Sequence, residues 1–80
     1  MVQEKTKPTR ERRYRLKTEV LIRERLKRGW SQEEFAERLG VSKGMGSFLE
    51  RDEKVTPKTI QKIAALLDLK IEEFVEILPL

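Results

Sequence analysis

An 80-residue chain has room for one domain with a small core, and folding leaves about 40% of its unfolded-chain surface still exposed. Without cysteine or histidine it cannot build a disulfide framework or a Cys/His zinc site, and it lacks the commonest acid–base side chain of neutral pH, so no metal, cofactor or enzymatic activity is expected. The net charge of +4 favours a negatively charged partner, while no apolar run approaches the ~20 residues of a membrane span and no secretory signal follows the basic start, so a cytoplasmic protein without a membrane partner is expected.

The excess positive charge sits at the start of the chain. Lys5, Lys7, Arg10, Arg12, Arg13, Arg15 and Lys17 are opposed there only by Glu4 and Glu11, whereas the remainder is close to neutral. Residues 1–14 read as a flexible basic arm and 15–80 as the folded domain. The arm has two readings: a solubilising tail, or a segment that neutralises phosphates through Lys5, Lys7, Arg10, Arg12 and Arg13. Beyond it, Leu16, Val20, Leu21 and Leu26 predict an amphipathic first helix from about Arg15 to Lys27. Gly29 ends it, and Lys27 and Arg28 suit the negative end of its dipole.

The second helix has a better-specified start. Ser31 can accept from the amide of Glu34, Glu34 can reach back to Ser31, and Trp30 can close over Phe35 as a hydrophobic staple. Phe35, Ala36 and Leu39 form its inner face, and Gly40 suits a left-handed C-cap. Val41 then packs under the turn, and Ser42 caps a third helix running to about Glu50 or Arg51, with Leu49 inward. Gly44 and Gly46 weaken that helix by about 0.8–1 kcal/mol each relative to alanine. Gly46 also leaves the staple position opposite Val41 without a side chain, and Gly46→Ile is expected to stabilise the domain provided the site faces inward.

The charged RDEKV segment leads to a fourth helix, with Thr56 as N-cap, Pro57 in the first turn, and Val55 and Ile60 spaced as a staple. Ile60, Ile63, Ala64 and Leu67 mark its buried stripe. Asp68 falls in the link, and Ile71, Phe74, Val75 and Leu78 predict a fifth helix before Pro79. No segment reads as a strand long enough to start a sheet. Glu33/Glu37 and Glu72/Glu76 lie four apart on helix faces and read as solvated pairs.

The segment SQEEFAERLGVS, a second short helix ending in Leu49–Glu50, and TPKTIQKIAALLDLKIEEF together resemble the phage-repressor and Cro (XRE-type) family. The resemblance spans about Leu16 to Val75. It implies an all-α, compact five-helix, lambda-repressor-like domain containing a helix-turn-helix, and a DNA-binding regulator of transcription that commonly dimerises. The helix starting at Gln32 would lie across the DNA backbone and the next would enter the major groove. By position, Gln32 matches a glutamine that holds a phosphate, Ala36 the small residue where the helices cross, and Glu50 an acid that is usually structural. This chain departs from the family pattern at Gly46, where isoleucine or valine is usual, at Asp52, often glycine, and at Phe48, usually basic or polar.

The resulting DNA-facing set is Lys43, Gly44, Ser47 and Phe48 toward the bases, with Gln32, Arg51 and the arm on phosphates. Lys43 is its one strong reader of guanine, Ser47 is permissive, and Phe48 can touch a thymine methyl. The second reading is a protein-interaction module on the same fold, an antitoxin, adaptor or anti-regulator, that docks a protein partner through Met45 and Phe48. Phe74, Ile77, Leu78 and Leu80 either form a two-fold homodimer contact or cover the monomer's own core.

Overall fold

The computed structural model describes residues 13–53 and 55–78. Lys5, Lys7, Arg10, Arg12 and Leu80 lie outside them. In chain order the elements are β1 (Tyr14–Leu16), α1 (Thr18–Lys27), α2 (Gln32–Leu39), α3 (Met45–Leu49), α4 (Pro57–Leu67), a 3-10 turn (Ile71–Glu73) and β2 (Val75–Ile77). The domain is predominantly helical and contains a helix-turn-helix. It has four α-helices among the described residues where five were expected.

The fifth helix is replaced by the 3-10 turn and a strand. β2 pairs antiparallel with β1, Tyr14 opposite Ile77, Arg15 opposite Glu76 and Leu16 opposite Val75. The amide of Lys17 donates to the Phe74 carbonyl and that of Leu78 to the Arg13 carbonyl, both at 2.8 Å, so the ladder runs one residue past each strand. An isolated helix of one or two turns is only marginally stable, because nucleation fixes several dihedrals for the first hydrogen bond. Pairing with the other end of the chain therefore outcompetes the helical spacing of Ile71, Phe74, Val75 and Leu78. Leu16 and Val75 are buried by this arrangement, and Phe74, one of the four candidates for a two-fold contact, is wholly buried in the core. Leu78 is half-buried.

The same ladder moves the start of α1 from Arg15 to Thr18. Leu26, expected inward, is 61% exposed. At 100° per residue it lies about 140° around the helix from the fully buried Leu21, and the inward place one turn along is taken by Glu24. Arg28 donates to the Glu24 carboxylate at 2.7 Å, and Lys27 reaches it at 3.4 Å. The Arg28 hydrogen bond holds this carboxyl below its ordinary range, outweighing the opposing effect of burial.

The start of α2 follows the local rules. The Glu34 amide donates to Ser31 Oγ at 3.1 Å and the Ser31 amide to Glu34 Oε1 at 2.9 Å, completing the capping box. Trp30 and Phe35 stack at 6.3 Å, with the Arg38 guanidinium 4.7 Å from the centre of the indole. Gly40 closes the helix at φ +81°. At α4, Thr56 Oγ1 accepts from the Thr59 amide at 3.3 Å ahead of Pro57. Phe35, Leu39, Leu49, Ile63 and Leu67 join Phe74 in one core that seats α2, α3 and α4 against each other.

Candidate nucleic-acid interface

The turn between α2 and α3 is built from main chain as much as from side chains. Ala36 is completely buried, and the Val41 amide donates to the Ala36 carbonyl at 3.1 Å. α3 then meets the first turn of α2 at Gly46. A methyl group added there would press into the Gln32 carbonyl, 2.8 Å from its carbon and closer still to its oxygen, and would sit 3.1 Å from the Gln32 Cβ. Gly46 is buried because two backbones touch there, so the expectation that Gly46→Ile stabilises the domain is reversed. A side chain of any size forces the two helices apart.

α3 is also shorter than expected. It spans five residues and begins at Met45, with Gly44 rather than Ser42 at its N-cap. The Ser42 carbonyl accepts from the Met45 amide at 3.0 Å, so Ser42 and Lys43 lie in the turn before the helix. Lys43 and Gly44 are exposed, Met45, Ser47 and Phe48 half-buried. Ser47 Oγ donates back to the Gly44 carbonyl at 3.3 Å.

Glu50 closes the other end of α3 and ties three elements together. Its carboxylate accepts from Arg25 of α1 through Nε and through Nη2, the latter at 3.2 Å, and from Gln32 Nε2 of α2 at 3.0 Å. Arg25 spends its other terminal nitrogen on the Trp30 carbonyl at 2.8 Å. The Glu50 and Arg25 side chains are only 5% and 14% exposed, so this is a largely buried pair in which each guanidinium nitrogen makes a hydrogen bond. It fixes the angle of α3 and orients Gln32. Nothing in the local sequence singles out Arg25 from its charged neighbours; only the fold brings it to Glu50.

Asp52 explains one departure from the family pattern. Its backbone is left-handed, φ +60°, which is the geometry a glycine would serve, and its side chain accepts from the Leu16 amide at 3.1 Å. Tyr14 Oη donates to the Val55 carbonyl at 2.7 Å. The two bonds anchor β1, one from its first residue and one from its last, to the loop that follows α3.

The two cations beside α3 each have an acidic neighbour. Lys43 Nζ lies 3.5 Å from Glu37 Oε2 of α2, and Arg51 Nη2 lies 3.4 Å from Glu53 Oε1. The Arg51 guanidinium also stands 5.1 Å from the centre of the Phe48 ring. The predicted set of Gln32, Lys43, Gly44, Ser47, Phe48 and Arg51 is thus drawn from α2, the turn, α3 and the residues just after it, whereas Ile77, 70% exposed, belongs to β2 of the sheet. Among the described residues no group of acidic side chains is placed to hold a metal ion, and no helix is long and apolar enough to cross a membrane.

A capped helix, a glycine turn and a short second helix locked across its first turn define the helix-turn-helix class. The chain belongs to the helix-turn-helix family, whose model matches residues 21–74. It is similar in structure to the transcriptional regulator VanUg, with a TM-score of 0.64 and 23% identity over 94% of this chain and 100% of that one. No curated protein sequence matches it significantly.

Proposed function

We propose that this chain is a non-enzymatic, DNA-binding regulator of transcription that contacts duplex DNA with its helix-turn-helix. The observation that carries the reading is membership of the helix-turn-helix family over residues 21–74, together with a Gly46 that lets α3 come close to the first turn of α2. α3 and the turn before it enter the major groove, presenting Lys43, Gly44, Ser47 and Phe48 to base edges. Gln32 and Arg51 hold phosphates on either side, and the basic arm supplies sequence-independent attraction through Lys5, Lys7, Arg10, Arg12 and Arg13. The anchoring of β1 to the loop after α3 supports that role for the arm, since the strand that the arm leads into is bonded to Asp52 and Val55.

A homodimer on a two-fold site suits the apolar surface at Ile77, next to Ile71 and Tyr14. A protein-docking role for Met45 and Phe48 gains less support, because both are half-buried and Phe48 lies under the Arg51 guanidinium. The protein works in the cytoplasm.

Selection from a random duplex pool at two salt concentrations tests the reading. Binding is expected to weaken steeply with salt. Deleting residues 1–13, which removes Lys5, Lys7, Arg10, Arg12 and Arg13, should lower affinity for all duplexes alike and flatten the salt dependence by up to about 0.9 ion for each phosphate they had neutralised. Lys43→Ala should instead narrow the gap between preferred and random sites by about 1–3 kcal/mol. Absence of duplex binding by the parent at low salt would refute the proposal.

A further inference from the structure

We infer that Glu37 and Glu53 act as built-in phosphate mimics that hold Lys43 and Arg51 in the free protein and so lower its affinity for non-specific DNA. The inference rests on the DNA-binding reading and deepens it. The two cations flanking α3 are each matched by a carboxylate, at 3.5 Å for Lys43 with Glu37 and 3.4 Å for Arg51 with Glu53. All four side chains are more than half exposed, so the pairs contribute little to folding. Their consequence falls on an incoming polyanion.

A phosphate that engages Arg51, or a base-edge or phosphate oxygen that engages Lys43, must displace the carboxylate already there or accept it as a close neighbour of like charge. Either way the cation's net attraction for DNA is reduced before any base is read. The two pairs come from different places: Glu37 projects from α2 across the turn, and Glu53 follows α3 in the next loop. They therefore guard opposite ends of the reading helix. Arg51 is steadied further by the Phe48 ring, which leaves its guanidinium oriented for exchange between Glu53 and a phosphate. The cost applies to every duplex alike, so it lowers random and preferred binding by the same factor and leaves the base contacts of a preferred site to supply the binding that remains. Discrimination then depends on contacts a random sequence cannot supply.

Fluorescence anisotropy with one random 20-bp duplex, at about 50 and 200 mM salt, tests this with the full chain. Glu37→Gln and Glu53→Gln should each tighten binding roughly three- to tenfold at the lower salt, with the gain shrinking at the higher salt as screening increases. Glu72→Gln makes the same change in net charge on the 3-10 turn and should stay within about twofold of the parent. Adding Lys43→Ala should remove most of the Glu37→Gln gain, because the competition acts through that cation. Gains no larger than that of Glu72→Gln, or a Glu37→Gln gain kept in full without Lys43, would overturn the inference while leaving the DNA-binding reading in place. A parent that binds no duplex at all would overturn both.

Discussion

Gly46→Ala is expected to destabilise the domain, although alanine is the better helix former. In an unhindered helix the exchange would contribute about 0.8–1 kcal/mol in favour of folding. Here the new methyl would lie 2.8 Å from the Gln32 carbonyl carbon, against the roughly 3.5–4.0 Å at which carbon atoms pack comfortably. Restoring that distance requires α3 to retreat from α2 by about 0.7 Å or more, and the obstacle is main chain in the first turn of a capped helix, not a side chain that can swing away. Overpacking typically costs about 1–3 kcal/mol, and a backbone neighbour places this site at the upper end. The net loss is then about 1–2 kcal/mol, which in a domain of this size lowers the unfolding midpoint by roughly 5–15 °C. Thermal unfolding followed by far-ultraviolet circular dichroism reads this directly. Gly44→Ala is the internal control. Its backbone is helical, at φ −66° and ψ −16°, and the added methyl meets open space, so it should gain about 0.4–1 kcal/mol. A Gly46→Ala midpoint equal to or above that of the parent would refute the steric account.

Glu50→Ala should cost about 3–5 kcal/mol, because it leaves the nearly buried Arg25 guanidinium without its carboxylate; a loss below about 1 kcal/mol in urea unfolding would show that the pair does not hold α3. Glu24 predicts an acid-side effect. Its carboxyl titrates below the ordinary value of 4.5 in the folded state, so its contribution is complete above that value and is lost as pH falls through the lower, folded one. Glu24→Gln should therefore flatten the decline in stability on the acid side, and an unchanged slope would argue against the Arg28 pairing.

The features legible in the sequence are those whose partners lie within a turn or so of helix. Ser31 and Glu34 are three residues apart, as are Thr56 and Thr59, and the stacking of Trp30 on Phe35 spans five. Gly40 and Pro57 constrain their own backbones. Such signals placed α2, its turn and the start of α4 correctly, because cap chemistry and φ preferences act whatever the rest of the chain does. The resemblance that pointed to a helix-turn-helix rests on the same segments. The remaining features depend on residues far apart in the chain. Arg15 and Glu76 stand 61 positions from each other in the ladder that replaces the fifth helix, and Arg25 lies 25 from Glu50. Three-residue strands carry too little alternation to be recognised, and a terminal run spaced for a helix becomes a strand once another edge is offered to it. Gly46 is the clearest case. In sequence it is a weak point in a helix, and only the approach of α3 to the Gln32 carbonyl turns the missing side chain into a requirement for packing.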